Sequence, residues 1–563
     1  MVLFFLLAIP FSLNILMLYL NRKGGAGIYG YLTLLSALIS IFILLALPAF
    51  RGYPFYGAGD TMAHLGMIRD ISDTGYTGSK NVYPVIHILL FSLSGASRLS
   101  PEELSLYMTS GFFVLFVASM MILARSLRCS QLQVLSIASV ATLPTLGYWL
   151  TVESIMPSTE SFFMIPLALS AVIRSRNAET KFEWSLIVIL LFALLPFFHF
   201  ESALFLLFLL SAIMIALRYS LQVGQRVFLA RSGRLELTTS WLLLFTCYIA
   251  VFSVTAAFGN TVGGLYDSMI LGHYAYPTTM MTVSAGNFPM GLMNATLAIL
   301  VLYGSAFACL AIGLILSART IRKKKNDETR SQRDILLSSM FFCMGLVNLF
   351  FFTTGTPIGY HMLRQLKYPL MISTIMMGLF LLRSFQEKMR SGAYKVPLVI
   401  FIVFVAIILP TFSVFTVYPN GLSYSANYQP TYADINGMSF FFEKRDQNIL
   451  IYEVGDRAYQ TRYSEYLIGF ESYIPGVRWA YSNETVPPPH FGYDKEGMIG
   501  HSYSSSIYLL IYPPAKEFYP TFYSDNPELW RFTPSDFQHL DADPSLDRIL
   551  SNNNLDIFLS STT

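Results

Sequence analysis

Apolar runs long enough to cross a lipid bilayer recur along most of this 563-residue chain. No other feature restricts its fold as much. A spanning helix needs roughly 20 predominantly apolar residues, because hydrocarbon offers no water to satisfy an open backbone. About twelve stretches approach that length. They lie near 2–20, 28–49, 105–124, 130–150, 157–173, 184–198, 200–217, 239–258, 290–316, 335–353, 363–382 and 396–416. The apolar stretch 184–217 is too long for one tilted helix, and His199 and Glu201 interrupt it, so it reads as two short helices meeting at a membrane face. Charge agrees. Only 13% of residues are charged, against about 25% in soluble chains. A net charge of +3 gives no field suited to nucleic acid. The expected fold is an α-helical polytopic membrane protein.

Cytoplasmic loops carry the excess of Lys and Arg. Alternate gaps hold Arg22 and Lys23, Arg125 and Arg128, Arg174 with Arg176 and Lys181, Arg218 to Arg234, Arg319 to Arg333, and Arg383 to Lys395. The opposite gaps hold little beyond Arg51, Arg69, Lys80 and Arg98. This asymmetry places both termini outside the cytoplasm and favours an even number of spans. The first run lacks a preceding charged segment and an A-x-A cleavage site, so it is expected to be a retained helix and not a signal sequence.

Two segments on the outer side are large. One is the loop over 50–104; the other runs from 417 to 563 and is long enough for a folded unit. Residues 1–416 are therefore expected to form a membrane domain and 417–563 an extracytoplasmic α/β domain. In the latter, short apolar runs at Asn448–Val454, Val477–Tyr481 and Ile507–Tyr512 read as strands, and Tyr432–Lys444 as a helix. Arg548–Leu550 and Leu555–Leu559 read as a hairpin turned by asparagines. Asn483-Glu484-Thr485 is an acceptable sequon, and Asp541 with Asp543 reads as a solvated turn. The four cysteines fall in or beside apolar runs at spacings that fit neither a disulfide framework nor zinc.

All eight histidines fall on the outer side. His64, His87, His199, His273 and His361 gather at the outer ends of spans, where ionisable groups tend to mark a site. Asp60-Thr61-Met62-Ala63-His64-Leu65-Gly66-Met67-Ile68 repeats its apolar residues at helical spacing, predicting an amphipathic helix at the membrane surface. Asp60 at its start can cap backbone N–H groups. Equally, with His64 one turn on, it can take a proton from a hydroxyl. Tyr83-Pro84-Val85-Ile86-His87 opens a second interfacial helix, with Pro84 in its first turn. Farther on, His361, Arg364 and Lys367 step by three, with no acid within a turn. Such cations either snorkel to headgroups or hold an anion such as a lipid phosphate.

A span, an outer loop with an acid on a short helix, then a Tyr-Pro-x-x-His-x-Leu helix together resemble the GT-C superfamily of membrane glycosyltransferases, especially its archaeal multi-span members. Protein O-mannosyltransferases, aminoarabinose transferases acting on lipid A and oligosaccharyltransferases share that architecture. The resemblance covers nearly the whole chain in architecture, through short motifs. It implies about 12 transmembrane helices and a polyprenyl-phosphate (dolichyl-phosphate type) sugar donor used at the outer face, with a glycan, lipid or protein acceptor. Asp60 would be the catalytic base, with His64 beside it. Glu153-Ser154-Ile155-Met156-Pro157-Ser158-Thr159-Glu160 is similar to the family's turn facing the site, and His199-Phe200-Glu201 to its polar break between helices. Arg364, aided by Lys367 and His361, would hold the donor phosphate. Glu153, Glu160, His199, Glu201, Tyr83 and His87 would position substrate.

The first loop departs from the oligosaccharyltransferase pattern: Asp60, Asp70 and Asp73 make no paired D-x-D, and no WWD-type signature follows. This favours transfer of a single sugar, with inversion, by an enzyme needing no cofactor, although a divalent metal stays open. A transporter or lipid flippase is the alternative from another class. It would carry internal repeats and midplane polar groups, and neither is evident. A catalytically inert scaffold is a third reading.

Overall fold

The structure, a computed structural model, describes residues 28–57, 59–145, 153–176, 178–222, 233–255, 258–259, 262–263, 292–322, 332–354, 365–391, 413–418, 429–454, 459–472, 474–477, 487–494, 497–523, 526–552 and 554–560. The first apolar run, most of 396–416, His273, His361, Arg364 and the Asn483 sequon lie outside them.

Helix α1 (Ile28–Leu45) precedes the loop over 50–104, which carries α2 (Asp60–Thr74) and α3 (Pro84–Ser97). Helix α4 (Pro101–Ser126) begins at a capping box, in which Ser100 Oγ accepts the N–H of Glu103 and Glu103 accepts that of Ser100. Helix α5 (Gln131–Ala141) starts the same way at Ser130 and Gln133. Helices α6 (Pro157–Phe163) and α7 (Ile165–Arg174) follow, then α8 (Lys181–Phe198), α9 (Phe200–Gln222), α10 (Gly233–Phe252), α11 (Leu292–Arg322), α12 (Gln332–Thr354) and α13 (Lys367–Ser391). Their apolar faces share one large core, drawing on residues such as Ile41, Val117, Leu169, Phe205, Met344 and Ile375.

Among the described residues six helices are long and apolar enough to span a membrane, lying within α1, α4, α8, α9, α11 and α12. The protein is a multi-pass membrane protein by this measure. The expected span at 130–150 stops as a helix at Ala141, shortly before Pro144, because the residue ahead of a proline is pushed out of the helical region. The run at 157–173 is interrupted at Met164, where Pro166 withholds the N–H that would continue the ladder.

After residue 430 come α14 (Tyr432–Lys444), β1 (Leu450–Val454), α15 (Tyr459–Ile468), β2 (Ile507–Ile511), α16 (Pro513–Phe522), α17 (Pro534–Ala542), β3 (Leu546–Ser551) and β4 (Asp556–Ser560). The strands form one sheet in the order β1-β2-β4-β3, with β1 parallel to β2 and the other pairs antiparallel. Of the run Val477–Tyr481, expected as a strand, only Val477 lies within the described residues; it follows a turn whose Gly476 carbonyl accepts the N–H of Ile451. Asp543 is buried and is no solvated turn residue: it accepts hydrogen bonds from Tyr493, from the Ile499 N–H and from Ser545.

Strand β2 is buried along its whole length, so both sheet faces are covered. Leu509 and Ile511 face a core with Phe491, Phe537 and Phe558. Tyr508 and Leu510 face the other way, into a core that contains Met62, Leu65 and Ile68 of α2 and Ile86 and Leu90 of α3. The sheet and the loop over 50–104 thus share one hydrophobic core. Helix α2 is consequently enclosed by protein along its first half, where residues Thr61–Ile68 are all buried.

Helices α2 and α15 approach one another closely. A Cβ on Gly66 would collide with the backbone carbonyl of Glu465, so only glycine permits this crossing. One turn on, Asp70 accepts the N–H groups of Phe470 and Glu471, both at 3.0 Å. Arg69 donates to the carbonyls of Tyr466 and Leu467. These neighbours bracket the C-terminal end of α15, where unsatisfied backbone carbonyls lie.

Candidate functional site

Asp60 opens α2 but does not cap it; no local side chain does. The cap comes from Glu153, whose Oε2 accepts the Thr61 N–H at 3.0 Å. Gly57, at φ +110°, and Gly59 leave the space this carboxylate fills, since a Cβ at either would collide with it. Thr61 completes the junction. Its hydroxyl donates to the Tyr56 carbonyl and accepts the N–H of Ser154, and Ser154 Oγ meets Ser105 Oγ at 3.0 Å. The Gly57 N–H donates to Gln429 Oε1.

Released from capping, the Asp60 side chain is 60% exposed and its Oδ1 pairs with Arg462 Nη2 at 2.9 Å. Arg462, on α15, is only 18% exposed and pairs through Nη1 with Glu465 at 2.9 Å. Burial works against the Arg462 charge, but the carboxylates of Asp60, Glu465 and Glu153 outweigh it and hold the guanidinium above its ordinary range. Burial pushes the Glu465 carboxyl up, opposed by Arg462. Asp60 Oδ2 has no hydrogen-bond partner among the described residues. One oxygen of this carboxylate is held and the other is presented.

The histidines behind Asp60 form a chain. His64 Nδ1 lies 2.9 Å from His87 Nε2, and His87 Nδ1 lies 2.8 Å from Asn81 Oδ1. With Asn81 accepting, the neutral His87 carries its proton on Nδ1, so His64 must donate from Nδ1. That tautomer leaves a lone pair on His64 Nε2. His87 is 0% exposed. Helix α3, at 14 residues, is shorter than the ~20 needed to span. Burial there, and then the neighbouring His64, hold His87 well below the usual imidazole range.

Segment 153–160 carries the site inward. Glu160, wholly buried, accepts the Met156 N–H with both oxygens at 3.1 Å, at the start of α6. Lys367 was expected at the membrane edge, yet it is 6% exposed, donates to the Ser158 carbonyl at 2.7 Å and lies over the rings of Phe162 and Tyr368. Ser161, Ser202 and Tyr368 continue this polar set through hydroxyl contacts of 2.7 and 3.1 Å. At the break between α8 and α9, His199 stacks on Tyr83 with centroids 4.7 Å apart, and Phe200 extends the stack. Glu201 Oε1 is buried with no hydrogen-bond partner among the described residues.

The structure therefore gathers Asp60 and Glu153 about Arg462, His64 with His87, Tyr83 with His199, and Lys367 with the start of α6 that Glu160 caps. Arg364 and His361 lie outside the described residues. Arg462 and Glu465 were not legible beforehand; their only local signal is a charge pair three apart on a helix. Among the described residues no group of three or more His, Cys, Asp or Glu is gathered as metal ligands. The carboxylates near Asp60 are already engaged, Glu153 by a backbone N–H and Glu465 by Arg462, so they do not fit a metal site as arranged.

No family model matches this chain, and no curated protein matches it in sequence. Its structure is similar to the oligosaccharyltransferase of Archaeoglobus fulgidus, solved with zinc and sulfate. The TM-score is 0.51 at 12% identity, over 85% of this chain and 69% of that one. A further match is ArnT of Cupriavidus metallidurans bound to undecaprenyl phosphate. Its TM-score is 0.46 at 10% identity, over 96% of this chain and 99% of that one. The first of these likenesses shows a shared fold: the chain is folded like that oligosaccharyltransferase.

Proposed function

We propose that this protein is a membrane glycosyltransferase that moves one sugar from a polyprenyl-phosphate carrier to an acceptor hydroxyl at the outer face. The observation that carries the reading is Asp60: a carboxylate on an oligosaccharyltransferase-like fold, with one oxygen fixed by Arg462 and the other presented at the surface. In this reading residues 1–416 form a membrane domain of about 12 helices, judged by the length each span needs. Residues 417–563 form an extracytoplasmic α/β domain, and both termini face outward.

The acceptor hydroxyl gives its proton to Asp60 Oδ2 as its oxygen attacks the anomeric carbon. The bond from that carbon to the phosphate oxygen breaks on the opposite side, and the carrier phosphate leaves with the electron pair. One displacement inverts the anomeric configuration. His64, one turn along α2 from Asp60 and held by His87, assists the base and helps to position sugar or acceptor. Arg364, with His361 and Lys367, binds the donor phosphate and stabilises it as it leaves. Glu153 orients the start of α2, while Glu160, Glu201, His199 and Tyr83 shape the approach from the membrane. No step is routed through a metal.

Glycans and glycolipids from cells lacking the gene, compared by mass spectrometry, test this. The deletion should shorten one glycan by one sugar; the wild-type chain should restore it and Asp60→Asn should not. Unchanged glycans in the deletion would refute the transferase reading and favour a transporter or lipid flippase.

A further inference from the structure

We propose that Arg462 is a positioning residue of the transfer site, so that the segment after residue 417 supplies part of the active centre. This rests on the reading of Asp60 as the base. Asp60 is the first residue of its helix and largely exposed, a place where a carboxylate turns freely among rotamers. Arg462 removes that freedom. Its own guanidinium is fixed by Glu465 through Nη1 and packed within the protein, so Nη2 is a stationary donor for Asp60 Oδ1. Oδ2 then faces the acceptor in one orientation. Reactions that depend on a near-attack geometry lose rate steeply when the base is misplaced.

A mere tether between the two segments would not need this pair. Helix α15 is already docked by Gly66 at the crossing, by Asp70 on two N–H groups and by Arg69 on two carbonyls. Those contacts lie along α2 away from Asp60. Docking is thus supplied elsewhere along α2, and the Nη2 of Arg462 is directed at the exposed Asp60 carboxylate. Lysine at this position would keep the charge but lose the planar fork that serves two carboxylates at once.

The test expresses full-length variants at equal level in cells lacking the gene. It reads the fraction of glycan carrying the sugar that the deletion removes. In the same membranes, trypsin cleavage of the segment after residue 417 reports docking. Arg462→Gln should lower transfer at least tenfold with an unchanged cleavage pattern, Arg462→Lys should recover part of the loss, and Arg69→Ala should keep at least half of wild-type transfer. The inference is overturned if Arg462→Gln transfers like wild type while Asp60→Asn is inactive. It is equally overturned if Arg69→Ala costs as much as Arg462→Gln, since Arg462 would then be a tether. Asp60→Asn with full transfer would instead remove the base assignment on which both readings stand.

Discussion

Glu153 Oε2 accepts the backbone N–H of Thr61 across 92 residues of sequence, so helix α2 is capped by a carboxylate from a distant turn. A negative group at this end meets both the unsatisfied donors and the positive end of the helix dipole. Glu153→Ala should therefore cost about 1–2 kcal/mol of stability, the usual range for a lost cap. Gly57→Ala should cost more, because it places a Cβ at a positive φ and against the same carboxylate. Thermal unfolding in detergent micelles measures both; a Glu153→Ala protein as stable as wild type contradicts the capping role.

Gly66→Ala forces a methyl against the Glu465 carbonyl, which is backbone and cannot swing aside. The helices α2 and α15 must separate, at a cost of about 1–3 kcal/mol typical of overpacking. Faster trypsin cleavage after residue 430 in the variant is the expected sign, with the membrane helices still inserted.

His87 makes stability fall with acid. In the folded protein burial holds it neutral, whereas in the unfolded chain it protonates near the ordinary value of 6.5. The unfolded state then binds the extra proton, so stability is full above that pH and declines as pH drops toward the depressed native value. His87→Gln, which cannot titrate, should flatten the slope below pH 6.5. Parallel melting curves for wild type and variant from neutral to mildly acid pH would sink this account.

Asp543 titrates in a lower window. Burial alone would raise its carboxyl, but the Ile499 N–H, Ser545 and Tyr493 outweigh burial and hold it below the ordinary range. Its stabilisation is thus complete above the ordinary carboxylate pKa and is lost as pH falls through the depressed one. Asp543→Asn should cost about 1–3 kcal/mol at neutral pH, as for hydrogen bonds to a charged group. It should also show a shallower acid transition.

The sequence reveals some of this and conceals the rest for physical reasons. Strand β2 was legible because a strand buried on both faces is an unbroken apolar run, Ile507–Ile511. The break at His199 was legible because polar groups interrupt a stretch too long for one helix. Asp60 stood out as an acid at the head of an amphipathic pattern. Its environment did not. Capping by Glu153 and pairing with Arg462 depend on packing between distant segments, and nothing near Arg462 in sequence separates it from any exposed arginine on a helix. The enclosure of Lys367 was equally hidden: its spacing on the helix says nothing of the Ser158 carbonyl, on α6, to which it donates.

The core shared by the loop over 50–104 and the four-stranded sheet carries a consequence for synthesis. Asp60 emerges from the ribosome 402 residues before Arg462. At about 5–20 residues per second, that interval is on the order of 20–80 s. Throughout it, Met62, Leu65 and Ile68 have no sheet to cover them. The loop must wait, apolar side outward, against lipid or a chaperone. A chain cut short before the sheet would keep its membrane helices yet hold its acid on an unsupported helix. Pairing of Asp60 with Arg462 therefore waits for the sheet, and a copy interrupted before it lacks the pair.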